Sequence, residues 1–391
     1  MIYETIRFGD LYAVDSRNGL TKPSKVRGSG YKMINMGELF ANDRIYDIPM
    51  ELVPLKENEK TNAKVEVGDL LFARQSLVLE GAGKCSVVME VSPLTVFESH
   101  LIRVRLSNDI NSMFYYYYFR SPLSPIKTIV SQCAQAGIRG SDLQELNVIF
   151  PPKEKQDKIA NILSKYDDLI ENNQKQIKLL DEAAQLLYKE WFVDLRFPGY
   201  EDVAIVDGIP EGFKKEKLID VVDVQYGFAF DGSLFNSQGK GTPIIRIRNI
   251  PCGTTNDFTT QEADEQYIAS NGDIVVGMDG EFHINSWCGK NAYLVQRTCK
   301  FTPKNELMRG WLLQAIYEPI KFFEKTVVGA TVAHLGKKHI DTIEFLTGPD
   351  DLYMPFRDLF NKRQLLLNQN ILLAEARDRL LPKLMNGELE V

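Results

Sequence analysis

The sequence has few of the residues that build disulfide frameworks and metal sites. Its 391 residues include five cysteines and four histidines, which are scattered and form no C-x-x-C pair. An odd, scattered set of this kind is typical of reduced thiols, and not of a disulfide-rich secreted protein or a zinc site. We therefore expect neither a disulfide nor a metal site. The residues concerned are Cys85, Cys133, Cys252, Cys288 and Cys299, with His100, His283, His334 and His339.

Long apolar runs and an excess of positive charge are also missing. No run approaches the ~20 apolar residues of a membrane-spanning helix, and the N-terminal MIYETIRFGD has no signal-peptide pattern. We therefore expect a cytoplasmic protein without a membrane partner. The formal net charge of −7 argues against a protein that binds DNA by covering its phosphates with basic residues. Any contact with DNA has to come from local patches or be shared with a more basic partner.

The sequence also lacks a complete catalytic motif. GAGKC at 81–85 is missing the first glycine and the final Ser or Thr of a phosphate-binding loop. FPPK at 150–153 is missing the polar and aromatic flanks of an adenine-methyltransferase motif, and the Pro-Asp pair at 349–350 is not followed by the rest of a nuclease motif. We therefore expect that the chain alone is not an enzyme and holds no cofactor.

Two long amphipathic segments stand out against these absences. Residues 154–191 contain no Gly or Pro, and their apolar residues recur every three or four positions, which predicts one long helix. A stripe this narrow needs a partner helix of similar length. Residues 351–385 provide that partner, because leucine recurs there at every seventh position.

The two predicted helices look like copies of one another. Leu169 and Leu366 lie 197 residues apart on the two apolar stripes, and Asn173 and Asn370 have the same separation. A polar residue within an apolar seam fixes helix register at a cost in stability, and we expect these four residues to set register and to form a subunit interface. The alternative is that both asparagines lie on the solvated edge of an ordinary bundle.

The remaining sequence repeats as well. Gly68-Asp69 followed by LLFARQS is matched 204 residues later by Gly272-Asp273 followed by IVVGMDG. We predict an α+β protein in which a long antiparallel two-helix coiled coil separates two mixed α/β domains, with an internal pseudo-two-fold duplication. The predicted segments are a first domain (1–152), a first long helix (153–193), a linker (194–212), a second domain (213–348), a second long helix (349–386) and a tail (387–391). In the first domain, 111–120 predicts an aromatic helix in which only some of the four consecutive tyrosines at 115–118 pack inward.

Two different domains on a rigid spacer suit a ligand with two separated features, such as DNA. Candidate base-reading residues follow each repeated Gly-Asp strand, where a loop can present side chains that match base edges, and basic residues in nearby turns suit phosphate contacts. Each of these residues taken singly also fits a solvated loop. The first domain contributes Arg74, Gln75, Ser76, Arg139, Lys25 and Arg27, and the second contributes Asp279, Glu281, His283, Asn285, Lys290, Lys337 and Lys338.

Several stretches together resemble the specificity subunits of type I restriction–modification enzymes over almost the whole chain. They are IFPPKEKQDKIANIL (149–163), IENNQKQIKLLDEAAQLLYKEWFV (170–193), RFPGYE (196–201), GDIVVGMDGEF (272–282) and LLPKLMNGELEV (380–391). The stretch TGPDDLYMP at 347–355 departs from the pattern with which the family usually begins its second helix.

The resemblance implies a subunit without a catalytic centre of its own. Each of two target-recognition domains would read one half of a bipartite site in double-stranded DNA, and the two helices would act as a ruler and carry two methyltransferase (M) subunits. The M subunits would bind S-adenosylmethionine and methylate adenine, and restriction (R) subunits would add cleavage that depends on ATP and Mg²⁺. Two other hypotheses stay open: a coiled-coil scaffold that never touches DNA, and the detached specificity half of a fused methyltransferase–nuclease.

Overall fold

The structure, a computed structural model, describes residues 3–132, 136–326 and 333–391. The chain divides into two units: the first comprises Met1–Asp168 and Ala374–Val391, and the second comprises Leu169–Leu373. Each unit contains β-sheet, short helices and part of both long helices, which confirms the predicted α+β class and duplication. No helix among the described residues is long and apolar enough to cross a membrane. Cys133 lies outside these residues, and the other four cysteines are free thiols.

The first unit is built on a five-stranded sheet. Its strands are β1 (Thr5–Arg7), β2 (Tyr12–Asn18), β3 (Tyr31–Ile34), β4 (Arg44–Ile45), β5 (Glu51–Val53), β6 (Leu70–Ala73), β7 (Gln75–Ser76), β8 (Cys85–Val88), β9 (Val96–Phe97), β10 (Leu101–Leu106), β11 (Ser131–Gln132), β12 (Ala136–Gly137) and β13 (Asn147–Ile149). The main sheet has the order β2-β10-β6-β8-β4, and smaller sheets have the orders β5-β3-β9, β11-β12-β7 and β1-β13. The helices are α1 (Met36–Ala41), α2 (Glu57–Asn62), α3 (Ser112–Arg120), α4 (Gly140–Gln144) and the start of α5 (Lys153–Tyr188).

The second unit repeats this plan with its own strands. They are β14 (Ile205–Val206), β15 (Ile209–Pro210), β16 (Lys214–Lys217), β17 (Val222–Tyr226), β18 (Phe235–Asn236), β19 (Thr242–Ile245), β20 (Phe258–Thr259), β21 (Ile268–Ala269), β22 (Ile274–Gly277), β23 (Ile284–Ser286), β24 (Ala292–Leu294), β25 (Thr298–Pro303) and β26 (Glu344–Thr347). The sheets have the orders β17-β25-β22-β23, β18-β20-β19-β24-β21, β16-β26 and β14-β15. The helices are α6 (Leu218–Val221), α7 (Arg309–Ala315), α8 (Tyr317–Thr326), α9 (Lys337–Ile340) and α10 (Met354–Met385), of which α10 continues into the first unit.

The Gly-Asp turns show why the repeat is visible in the sequence. Gly68 and Gly272 have φ values of +88° and +90°, in the left-handed region that glycine enters without strain. Asp69 and Asp273 each accept a hydrogen bond from the backbone amide three residues earlier, at 2.7 and 2.9 Å. The strands that follow, β6 and β22, are buried at every position. The same local chemistry therefore starts the central strand of each unit.

Helix α3 is the aromatic helix of the first unit, and all four of its tyrosines are buried. The prediction that only some of them pack inward is wrong, because α3 is in contact with the structure on several sides. The hydroxyl of Tyr115 donates to the carbonyl of Ile149 in β13 (3.0 Å). The hydroxyl of Tyr117 donates instead to the carboxylate of Asp167 on α5 (2.6 Å). A helix enclosed in this way has no outer face, so helical periodicity does not apply to it.

Helices α5 and α10 pair antiparallel within the second unit. The Nδ2 amide of Asn173 donates to Oδ1 of Asn370 (2.9 Å). Further along α5, Asp181 accepts from Nε of Arg363 (2.6 Å), so the partner's numbers fall as those of α5 rise. The side chains of the two asparagines therefore meet between the helices, and their role in setting register stays a prediction.

The buried stripe of α5 differs from the predicted one by a small rotation. Leu366 of α10 is 3% exposed, but Leu169 of α5 is 51% exposed, so its predicted place in the buried seam is wrong. The buried side of α5 passes instead through Leu163, Asn173 and Ala184. Because α5 carries leucines on two neighbouring stripes, only contact with a partner decides which stripe is covered.

Candidate nucleic-acid interface

The candidate interface of the first unit is a junction of three chain segments at the end of strand β6. Arg74 follows β6 and donates its backbone N–H to the carbonyl of His100 (2.8 Å), which lies just before β10. The carbonyl of Arg74 accepts from the backbone N–H of Ile138 (2.9 Å), which follows β12. We call the meeting of these three residues the first junction. It fixes the loop that follows the repeated Gly-Asp strand against two other turns.

Four of the predicted residues gather at the first junction. Gln75 and Ser76 form β7, which pairs with β12, so they leave the junction in an extended conformation. Arg139 follows Ile138, directly before α4, and the Arg139 side chain is exposed. The guanidinium of Arg74 is half-buried and makes one long hydrogen bond to a carbonyl (3.4 Å).

The surface beside β7 is mainly apolar. Gln75 and Ser76 share a shallow depression with Met36, Phe40, Leu77 and His100. Leu77, Val78 and Leu79 are 89%, 59% and 46% exposed, and contiguous apolar surface of this kind is typical of an interaction site. Polar groups set among apolar ones suit the major groove, where the thymine methyl group lies beside hydrogen-bonding base edges.

Lys25 and Arg27 lie on a separate loop of the first unit. Arg27 donates to a carboxylate oxygen of Glu51 (2.5 Å) and to the carbonyl of Lys22 (2.8 Å), so its guanidinium is already held within the chain. Lys25 lies in a one-turn helix and is exposed. No hydrogen bond or ion pair between residues in the described ranges connects this loop to Arg74.

The second unit has the same junction built from other residues. Met278 follows β22, donates its backbone N–H to the carbonyl of Arg297 (2.8 Å), and accepts from the N–H of Leu335 (2.8 Å). These three residues follow their counterparts in the first unit by 204, 197 and 197 positions. We call them the second junction. The duplication therefore preserves the backbone of the site while its side chains differ.

Three side chains form a cluster at the second junction. The predicted Asp279 takes the place of Gln75 and contacts Nδ1 of His334 through its Oδ1 (2.6 Å). Its Oδ2 lies 3.3 Å from Nε of Arg297. Nη1 of Arg297 in turn lies 3.0 Å from Nε2 of His334. We call Asp279, Arg297 and His334 the second-junction cluster; its three side chains are all partly exposed.

The other predicted residues of the second unit are spread around this cluster. Glu281 is exposed and lies 3.6 Å from Nδ1 of His283. Between them, the N–H of Phe282 donates to the carboxylate of Glu324 (2.7 Å). Burial alone would raise the pKa of Glu324, but hydrogen bonds from Lys321 and from this N–H hold its pKa below the usual value. The loop is therefore anchored next to an ionised carboxylate.

Asn285 and Lys290 lie further along the chain, and Lys337 and Lys338 lie after the cluster. Both ends of the Asn285 amide have partners within the unit. Its Nδ2 donates to the carbonyl of Ile250 (3.0 Å), and its Oδ1 accepts from Nη2 of Arg363 on α10 (2.8 Å). Lys290 is exposed. Lys337 and Lys338 begin α9 and are exposed, at the place that α4 occupies in the first unit. Among the described residues, no group of His, Cys, Asp and Glu could hold a metal ion.

Sequence comparison places both junctions in one kind of domain. The family described as the type I restriction modification DNA specificity domain matches residues 3–182 and 210–349, which is more than half of the chain. The chain belongs to this family. The first matched segment contains the first junction, and the second segment contains the second junction with its cluster.

Individual relatives agree with the family. The specificity subunit of the type I restriction enzyme MjaIX from Methanocaldococcus jannaschii is 27% identical over 330 residues, which cover 78% of this chain and 75% of that protein. The EcoBI specificity subunit from Escherichia coli is 30% identical over 137 residues, or 34% of this chain and 29% of that protein. The S subunit of a type I restriction–modification system from M. genitalium has a similar fold, with a TM-score of 0.53, 16% identity, and coverage of 98% of this chain and 96% of that one.

Sequence reasoning missed three side chains at the two junctions: His100, Arg297 and His334. A signal for two of them was present, because Arg297 follows His100 by the 197 residues that also separate the long helices, and both precede a strand. The contact of His334 with Asp279 had no such signal, since it depends on pairing between distant segments.

Proposed function

We propose that this chain is the DNA-specificity subunit of a type I restriction–modification complex, in which each unit reads one half of a bipartite, asymmetric site. The observation that carries the proposal is the pair of junctions. Both have the same backbone hydrogen bonds, both lie within segments matched by the family, and they present different side chains. A site read by two such units has two halves with unlike sequences.

The residues at the two junctions are suited to base edges and phosphates. In the first unit, Arg74, Gln75 and Ser76 offer hydrogen-bond donors and acceptors of the kinds that read guanine and adenine in the major groove. The exposed Arg139, and the lysines that begin α9 in the second unit, suit phosphate contacts beside them. Such local basic groups can act although the whole chain has a net charge of −7.

We further propose that α5 and α10 set the spacer between the half-sites and carry two M subunits. Five leucines of these helices are more than half exposed, which is expected where a partner covers them. They are Leu169, Leu179, Leu186, Leu365 and Leu372. We place S-adenosylmethionine and adenine methylation in the M subunits, and ATP, Mg²⁺ and cleavage in R subunits. The chain itself then contributes recognition without catalysis, in the cytoplasm with the DNA that it reads.

The two other hypotheses differ in what they predict. A scaffold that never touches DNA gives no reason for matched junctions with unlike polar side chains. A detached half of a fused methyltransferase–nuclease predicts similarity to fused enzymes, whereas the matches described above are to separate type I specificity subunits. The assignment as a type I specificity subunit is therefore favoured over both.

The test is methylome sequencing of a host that expresses this chain together with its own M subunit. We expect adenine methylation at one bipartite, asymmetric motif. Changing Arg74 and Gln75 together to Ala should relax one half of the motif and leave the other half unchanged, because a bidentate contact supplies ~1–3 kcal/mol of discrimination at its base pair. Arg7→Ala is the matched control, since Arg7 pairs with Glu145 on an exposed surface of the same unit. Absence of any bipartite motif, or equal relaxation of both halves, would refute the proposal.

A further inference from the structure

We propose that Arg297 reads a guanine in the half-site of the second unit, and that Asp279 and His334 are positioning residues for its guanidinium. This inference rests on the proposed function, because it requires that the second junction faces DNA. It specifies one base, guanine, and the residue that recognises it in one half of the DNA site.

The position of Arg297 in the fold is the first argument. Its carbonyl is part of the second junction, where it accepts the backbone N–H of Met278. Its counterpart, His100, has the same place in the first junction and borders the depression around Gln75. Arg297 therefore lies at the edge of the second unit that corresponds to the one where the first unit collects four candidate DNA-contacting residues.

The backbone of Arg297 is the second argument. Val295 to Thr298 form a tight turn that is closed by a hydrogen bond from the N–H of Thr298 to the carbonyl of Val295 (3.0 Å). Arg297 is the third residue of this turn and has φ +72°, a conformation that strongly favours glycine or asparagine. Turn chemistry does not explain an arginine here. Strained residues of this kind concentrate at functional sites. We therefore attribute the arginine at this position to a function of its side chain.

The side-chain contacts are the third argument. Oδ1 of Asp279 lies 2.6 Å from Nδ1 of His334. Nη1 of Arg297 lies 3.0 Å from Nε2 and 3.2 Å from Nδ1 of the same ring, so the guanidinium packs over the imidazole. Oδ2 of Asp279 holds Nε of Arg297 at 3.3 Å. The carboxylate of Asp279 and the imidazole of His334 therefore both lie against one guanidinium and restrict its orientation.

The guanidinium still has donors to offer. The side chain of Arg297 is 48% exposed, and within the described residues its Nη2 group makes no hydrogen bond. The free end of the fork therefore presents parallel N–H donors to solvent. In the major groove, guanine offers two adjacent acceptors, O6 and N7, whereas adenine offers an acceptor beside a donor that arginine cannot satisfy. Guanine is therefore the base that this oriented fork matches.

The experiment uses the complex of the full chain with its M subunit and begins with Arg297→Gly. Glycine suits φ +72°, so this variant removes the side chain without straining the turn. We expect a thermal unfolding temperature no lower than that of the wild type, loss of the requirement for one guanine in the second half-site, and an unchanged first half-site. Arg196→Ala is the matched control, because Arg196 is an exposed arginine of the same unit that pairs with Glu190. It should leave the motif intact.

Substitution of 7-deazaguanine, which lacks the N7 acceptor, tests the contact atom itself. At the guanine read by Arg297, the analogue should weaken wild-type binding by about 2- to 13-fold, because it removes one of the two hydrogen bonds of a contact worth ~1–3 kcal/mol. It should not weaken binding by the Arg297→Gly complex any further. Asp279→Ala should reduce discrimination at the same guanine and at no other position, because it acts only through the guanidinium.

The outcomes separate this inference from the proposed function. If the wild-type complex methylates no bipartite motif, the proposed function fails, and the inference fails with it. A bipartite motif that is unchanged by Arg297→Gly, or that has no guanine in its second half, would overturn the inference alone. A large loss of stability in Arg297→Gly would also overturn it, since the arginine would then hold the turn together and not read DNA.

Discussion

Replacing Asp167 by Ala should release the aromatic helix of the first unit from the long helices. The carboxylate of Asp167 accepts from the hydroxyl of Tyr117 (2.6 Å) and from Nη1 of Arg377. The Asp167 side chain is 8% exposed and that of Arg377 is 20% exposed. Burial, together with the neighbouring carboxylate, raises the pKa of Tyr117, so its hydroxyl remains a donor at any ordinary pH. One carboxylate therefore joins α3, α5 and α10.

The expected loss follows from what the substitution leaves behind. Removing one member of a buried ion pair costs ~3–5 kcal/mol, because the remaining charge is left in a poorly solvated place. Arg377 retains Asp378 as a second partner (2.8 Å), which favours the lower end of that range. We therefore expect Asp167→Ala to destabilise this region by about 3 kcal/mol, or about 150-fold in the opening equilibrium.

Hydrogen exchange in the full chain measures this locally. The amides of α3 should exchange faster in Asp167→Ala by about the same 150-fold factor, because exchange of protected amides follows the free energy of local opening. Asp378→Ala is the control: it removes the other partner of Arg377, but the Asp378 side chain is 62% exposed. Exposed pairs contribute only ~0–1 kcal/mol, so its effect should be small.

Equal effects of the two substitutions would refute this prediction, because they would show that burial of Asp167 adds nothing to the strength of its ion pair. An unchanged exchange rate of α3 in Asp167→Ala would do the same. Tyr117→Phe gives an independent value, since it removes only the hydrogen bond to the charged group, which contributes ~1.5–3 kcal/mol.

Two further predictions concern the paired helices and the effect of acid. Asn173→Ala and Asn370→Ala should be coupled by ~0.5–1.5 kcal/mol in a double-mutant cycle of unfolding, since each removes the same 2.9 Å hydrogen bond; additive effects would show that the pair does not set register. Burial alone would raise the pKa of Asp43, but hydrogen bonds from Arg120 and Lys84 hold its pKa below the usual 3.8. The carboxylate of Asp43 therefore contributes stability above pH ~4, and this contribution is lost as the pH falls through its lowered pKa. Asp43→Asn should remove this part of the acid dependence of unfolding. The effect should be less than ~1 kcal/mol, because the Asp43 side chain is 42% exposed. A denaturant titration at pH 7 and pH 3 checks this, and an unchanged acid dependence would contradict it.

The sequence by itself determined the elements that depend on local chemistry. Glycine is needed where φ is positive, so Gly68 and Gly272 mark the start of the repeated strand in the sequence and in the structure. Apolar periodicity without Gly or Pro identified both long helices. The polar interruption of each apolar stripe was visible as well, because Asn173 and Asn370 take the same place in the two copies. The candidate residues around Arg74 followed from the same repeat.

Only the tertiary structure decided which faces are covered and which distant residues meet. Leu169 lies on an apolar stripe of α5 but is exposed, because the stripe beside it faces the partner helix. The tyrosines of α3 are all buried, since neighbours on several sides override helical periodicity. The cluster of Asp279, Arg297 and His334 forms through backbone pairing of three segments that are far apart in sequence. Periodicity describes one element at a time, whereas contact depends on how elements pack, and for that reason the oriented arginine could be found only in the folded chain.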